Sequence, residues 1–402
     1  MAKKAKYNIA KIIEQWLPSL KSTSALSGHQ VSTLKLIQHC KTAQLGGHIE
    51  RCDSCAYTRI HYNSCGNRNC PSCQGVNKEK WIFDRQFDLI AVKYFHCVFT
   101  IPSQLHDLVR YNKKIIYDLM MRCVKDTLLA FGNDPKHGIN GKIGAILILH
   151  TWNQQLGFHP HVHCIVPAGG LSKHGKWNQA KSNGDFLFPV RALSSLFKGK
   201  LLHGIHKLYL SNKLYLSPRL KAQYWNTKNK LYGIKWNTYS KKAFGGPQQV
   251  LEYVGRYTHK ICISNQRINC VSDHTVSFKY LDRKLQKSKA KKIKGEQFLK
   301  LFAEHILPKG FVRIRHIGFL ASRKKSKDLA IIRRCLKSPT PIAKPLLSTR
   351  EFIKLTTGKD PYLCPCCQKG EMVIISVLPS IRGSPISSVY RTFAKDRKVQ
   401  IM

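Results

Sequence analysis

The sequence predicts an α+β protein with a central antiparallel sheet and flanking helices, preceded by a small zinc-ribbon-like domain. Paired cysteines near the start, Cys52 with Cys55 and Cys70 with Cys73, predict the small domain, since such knuckles bind metal. Farther on, a strand, a long helix and two strands joined by a short loop follow in that order, which is the pattern of an antiparallel sheet with helices beside it. The balance of charge adds the partner. With 68 Lys and Arg against 21 Asp and Glu, the chain of 402 residues carries a formal charge of +47. A polyanion is the expected partner, bound with a steep dependence on salt because neutralised phosphates release counterions.

The first element is an amphipathic stretch at residues 9–20, with no secretory core or small-residue cleavage site before it. No apolar run is long enough to span a bilayer, so no membrane partner is expected. The expected location is the cytoplasm, in association with the bacterial nucleoid, and in that reducing compartment the 15 cysteines point to metal rather than disulfides. Cys52, Cys55, Cys70 and Cys73 then read as the ligands of one structural Zn²⁺, each knuckle presenting its thiolates from a tight turn. Residues 56–63 alternate as a ribbon strand would. Cys40 and Cys65, with His48 and His61, lie near enough in sequence to complete a second site or to exchange with one of the four, and the spacing leaves both options open. A closed zinc site does no chemistry, so this module is expected to dock DNA.

After a helix at residues 81–89 come a strand at 93–101 ended by Pro102, a helix at 115–131 and a strand at 142–152. The loop at 153–158 is short enough for a hairpin into the strand at 159–166. In that last strand the period of two puts His159, His161 and His163 on one face and Val162, Cys164 and Val166 on the other. Neighbouring neutral imidazoles there can hold a divalent ion. Residues 224–244 interleave aromatics such as Trp225, Trp236 and Tyr239 with basics such as Lys241 and Lys242. That pattern suits base stacking with phosphate contact, and equally a core of aromatics under solvated lysines.

Gly245-Gly246-Pro247 opens a helix, since proline is accepted in a first turn. On it Tyr253 and Tyr257, four residues apart, share one face at roughly 6 Å, so their hydroxyls can attack phosphodiesters in turn. A strand near 276–280, a flexible basic loop at 283–294 and an amphipathic helix at 296–307 follow. Residues 311–320 alternate as a strand with Arg313 and Arg315 on one face. Cys364 and Cys367 form a third knuckle with no visible partner, half of a metal site. The division expected is residues 1–92 for the zinc-binding domain, 93–322 for the catalytic domain and 323–402 for a basic C-terminal region.

In combination these motifs resemble a known family. The zinc knuckles, Phe99-Thr100-Ile101-Pro102, His161-Val162-His163, Gly245-Gly246-Pro247 and Tyr253-Val254-Gly255-Arg256-Tyr257-Thr258-His259 look like the two-tyrosine rolling-circle transposases of the HUH endonuclease class, the insertion-sequence ninety-one group. The likeness runs from about Cys40 to Ser322 and includes Leu307-Pro308-Lys309-Gly310 and Gly318-Phe319-Leu320-Ala321-Ser322-Arg323. It implies an HUH endonuclease domain in which His161 and His163 hold Mg²⁺ or Mn²⁺. It also implies attack by Tyr253 or Tyr257 on single-stranded DNA, at element ends and target, leaving a 5′-phosphotyrosine and a free 3′-hydroxyl. Gln249 leads the candidates for a third metal ligand, ahead of His259, His159 and His96. Arg256, His259, Lys241, Lys242, Arg313 and Arg315 are the expected DNA contacts.

Other classes fit less well. A transposase built on three carboxylates lacks its acids, because between Lys142 and Tyr257 the chain has only Asp185 and Glu252. A replication initiator or relaxase would share the tyrosine chemistry. The zinc module followed directly by the nuclease, with no Gly-x-x-x-x-Gly-Lys motif in the sequence, favours the transposase, and unwinding of the displaced strand then suggests help from a host helicase. A non-catalytic zinc-dependent nucleic-acid-binding protein would leave the histidine and tyrosine motifs idle.

Overall fold

The computed structural model describes residues 6–381 apart from 24, 137, 243–248, 251–254, 256–257, 283 and 340–343. In chain order come α1 (Ile9–Ser22), α2 (Gly28–Gln38), β1 (Gly47–Cys52), β2 (Thr58–Tyr62), β3 (Tyr94–Thr100), α3 (Lys113–Asn133), β4 (Gly144–Trp152) and β5 (Phe158–Pro167). Then follow α4 (Val190–Leu210), β6 (Thr238–Lys242), β7 (Ile268–Val271), β8 (Thr275–Asp282), β9 (Lys287–Lys294), α5 (Gly295–Glu304), β10 (Ile314–Gly318), α6 (Lys325–Cys335) and β11 (Met372–Leu378). The architecture is α+β with antiparallel strand pairing, as the sequence predicts.

The chain forms two compact units, Met1–Lys80 with Ile261–Ile306 and Pro345–Met402, and Trp81–Lys260 with Leu307–Lys344. A division drawn along the sequence at 92 and 322 cuts across both. The chain enters each unit more than once, which no local composition change announces.

In the first unit, α1 starts where the Asn8 side chain accepts a hydrogen bond from the Lys11 N–H. Its apolar residues recur every three or four positions, so Ile9, Ile12, Ile13, Trp16, Leu17 and Leu20 are all buried on one side. α2 starts with a reciprocal cap between Ser27 and Gln30. Both α2 and α5 pack against α1. One sheet has β1 between β2 and β11, so a strand from the far end of the described chain joins the zinc-ribbon strands. A second sheet has the order β9-β8-β7. The flexible basic loop expected at 283–294 is therefore corrected: Lys287–Lys294 is a strand, paired along its whole length with β8. Its lysines hide the strand pattern, but the apolar partners Val276 and Phe278 on β8 anchor it.

In the second unit, one five-stranded sheet has the order β10-β4-β5-β3-β6 with every neighbour antiparallel. Cys97, Phe99, Leu147, Leu149, Val162 and Cys164 face a large core that includes α3 and α4. Ile146, Ile148 and Ile165 face the other side, where Leu329 and Ile332 of α6 join them. Strand periodicity puts His96, His150, His161 and His163 on this second face. At the end of β10, Gly318 has φ +63°, and a Cβ there would strike the Ile143 carbonyl oxygen, so glycine is required by conformation and by space. No helix among the described residues is long and apolar enough to cross a membrane.

Candidate functional site

The strand register builds a histidine cluster. β4 pairs with β5 so that His150 stands opposite His161, and β3 pairs so that Val98 stands opposite His163, with His96 two residues before it. His150, His161 and His163 each turn one ring nitrogen toward a common point, and these atoms lie within 4.8 Å of one another. The Nε2 atoms of His161 and His163 are 3.1 Å apart. Behind them His150 stacks on Trp152 with ring centroids 4.6 Å apart, and His96 stacks on His163 at 5.0 Å.

Hydrogen bonding sets which nitrogens carry the proton. Nδ1 of His161 lies 2.7 Å from the His159 carbonyl oxygen, which can only accept, so the proton sits on Nδ1 and Nε2 is a lone pair. His163 Nδ1 lies 2.7 Å from His96 Nε2. With the His163 proton on Nδ1, its Nε2 lone pair faces that of His161, an arrangement that a cation between them satisfies. Burial holds His96 down to about 4, and burial followed by the neighbouring His150 and His161 holds His163 well below the ordinary imidazole range. Both rings are thus neutral near pH 7 and competent as ligands. The donor set fits a divalent ion, and its all-imidazole character suits a transition metal better than Mg²⁺, which prefers oxygen.

The third imidazole is His150, which the sequence analysis missed. Of the earlier candidates, His96 is an outer partner of His163, and His159 contributes its carbonyl to His161. Gln249 is exposed and helical, whereas Val250, Gly255 and Thr258 are helical and buried. Tyr253, Tyr257 and Arg256 lie outside the described residues. His259 lies at their border, its Nδ1 3.2 Å from the Thr258 hydroxyl.

The expected DNA contacts divide. Lys241 and Lys242 are exposed on β6, and Lys242 pairs with Asp185 at 2.5 Å. Arg315 pairs with Asp118. Arg313 is corrected: it is buried, donates to the Lys260 carbonyl at 2.8 Å and lies over the Trp152 ring at 5.4 Å. It braces the wall behind His150 rather than facing solvent. The aromatic and basic stretch also divides, with Tyr224 and Trp236 buried and Trp225, Tyr232 and Tyr239 exposed.

The single zinc site expected from Cys52, Cys55, Cys70 and Cys73 is corrected as well. Those thiols belong to separate clusters, Cys40 with Cys65, Cys70 and Cys73, and Cys52 with Cys55, Cys364 and Cys367. Each Cys-x-x-Cys turn stays together, but strand β1 carries Cys52 away from Cys70, and β11 brings the third knuckle beside it. Sulfur pairs stand 3.5 and 3.6 Å apart in the first cluster and 3.6 and 3.7 Å in the second. Four ligands at the usual Zn–S length make a tetrahedron with edges of about 3.8 Å, whereas a disulfide needs about 2.05 Å. Backbone N–H groups of Cys55, Cys65, Cys366 and Gly370 point at the sulfurs, 3.4 Å away, and favour thiolates. The clusters thus fit structural Zn²⁺. In a His161→Ala background, which removes the imidazole site from the count, elemental analysis is expected to find one zinc per cluster. Adding Cys364→Ser is expected to remove one and leave the other, and an unchanged zinc content would refute the second centre.

The chain is similar to known proteins along most of its length. A family model described as "Putative transposase" matches residues 144–327, and one described as "Transposase zinc-binding domain" matches residues 12–101. The chain is 37% identical over 374 residues to "Putative transposase y4qJ" of Sinorhizobium fredii, covering 90% of this chain and 93% of that protein. It is 30% identical over 342 residues to "Transposase for insertion sequence element IS801" of Pseudomonas savastanoi pv. phaseolicola, covering 84% of this chain and 82% of that one. No solved structure matches.

Proposed function

Because the chain belongs to the transposase family typified by insertion sequences ninety-one and IS801, we propose that it cleaves and rejoins single-stranded DNA at the ends of a mobile element through a 5′-phosphotyrosine intermediate. The observation that carries this reading is the converging set of His150, His161 and His163. A bound divalent cation would act there as a Lewis acid on a phosphoryl oxygen. The chain's own contribution begins with the tyrosines. The phenolic oxygen of Tyr253 or Tyr257 attacks phosphorus and loses its proton, the bond to the 3′ oxygen breaks, and that oxygen leaves as a hydroxyl. One phosphodiester replaces another, so the covalent link retains the energy needed for rejoining. The second tyrosine serves the second cleavage or the target strand. Lys241 offers positive charge to the DNA, and His259 a ring nitrogen for hydrogen bonding.

A replication initiator or relaxase would use the same chemistry, and family membership favours the transposase. A host helicase supplies the single strand. The test is incubation with Mn²⁺ and a single-stranded oligonucleotide carrying the element end. A denaturant-resistant adduct on the 5′-phosphate side is expected, with mass spectrometry placing the nucleotide on Tyr253 or Tyr257. Cleavage without any protein-linked DNA would overturn the mechanism.

A further inference from the structure

We propose that the β8–β9 hairpin is an arm that binds duplex DNA, seated as a two-stranded ribbon in the major groove. The partner's class rests on the transposase reading. The root of the hairpin is fixed: Val276 and Phe278 are fully buried, and the Phe278 ring packs edge-on against Phe298 of α5 at 5.6 Å. Beyond the root the structure changes. β7 pairs with β8 only as far as Phe278, while β9 pairs with β8 through to Asp282. The distal part is therefore a ribbon of two strands, the width that a B-form major groove admits.

That ribbon is exposed and cationic. Lys279, Lys284, Lys287, Lys289 and Lys292 are all exposed, and so are Leu281 and Leu285 near the tip. Between Thr275 and Lys294 the only acid is Asp282, which is paired with Lys289 at 2.8 Å. The register puts Lys287 and Lys289 on one face, opposite Asp282 and Tyr280, and Lys292 and Lys279 on the other, opposite Ser277 and Ala290. A ribbon charged on both faces can reach the phosphates along both walls of a groove. Lysines also guard an edge strand against pairing with another chain. That role needs charge along the edges, yet the lysines here stand on both faces of the ribbon, Lys287 and Lys289 on one and Lys279 and Lys292 on the other.

The experiment uses the full chain with Lys279, Lys287 and Lys292 changed together to glutamine, and a second variant with the same positions changed to arginine. Binding to a short blunt duplex is followed by fluorescence anisotropy over a range of salt. The glutamine variant is expected to lower the slope of log affinity against log salt by about 2–3, near one counterion for each lost phosphate contact. The arginine variant is expected to restore it. Zinc content and adduct formation on a single-stranded oligonucleotide are expected to stay at the unaltered protein's level. An unchanged duplex slope would overturn the proposal, as would an equal fall in slope for the single strand. A protein that shows the duplex effect yet forms no adduct would sink the cleavage mechanism and leave the arm standing.

Discussion

Changing Tyr253 and Tyr257 together to phenylalanine is expected to abolish the covalent protein–DNA adduct while leaving DNA binding intact. Each substitution removes one hydroxyl and keeps the ring, so packing changes little. Nucleophilic attack, by contrast, loses its only atom on each side chain. Without an oxygen to bond phosphorus, the transesterification has no route of comparable rate, and a fall of at least about a thousandfold is expected. Each single variant should still form an adduct, on the tyrosine that remains. Gel electrophoresis under denaturing conditions reads the result directly, and an adduct that survives in the double variant would place the nucleophile elsewhere.

His161→Ala is expected to have the next largest effect. Polarisation of a phosphoryl oxygen by a cation is worth several kcal/mol, so losing a ligand should slow cleavage by roughly a thousandfold or more. The cysteine clusters lie in the other compact unit, and their zinc should be unaffected. His96→Ala supplies the comparison. It removes the ring that holds His163 Nδ1, so Mn²⁺ titrations of its cleavage rate should show about 10–100-fold weaker binding with activity recovered at high metal. If His161→Ala cleaves at the unaltered rate, the imidazole cluster has no part in the chemistry.

Much of this site was legible in the sequence because it lies within single elements. Strand periodicity alone aligned His161 with His163. His150 was not legible, since its place depends on the hairpin register, and the register shifts between His150 and Trp152. The signal was present in the short loop after residue 152, but loop length does not reveal a bulge. The cysteines failed for a related reason. Spacing identifies a knuckle, whereas which knuckles share a metal depends on β1 and β11, strands that lie far apart along the chain. Lys287–Lys294 was hidden because lysine is a poor strand former, and only its partner strand shows why it is extended. The expected partition at residues 92 and 322 followed the order of motifs along the chain, whereas the chain enters each compact unit more than once.

The shared cluster of Cys52, Cys55, Cys364 and Cys367 has a consequence in time. Cys55 and Cys364 are 309 residues apart, so a ribosome working at ordinary bacterial speed needs about 15–60 s between them. Throughout that interval the first knuckle waits with its thiols uncapped, and the cluster closes only after residue 367 has been made. Stalled nascent chains that stop short of residue 364 should carry a single cysteine-bound zinc, and those released beyond residue 367 should carry the pair.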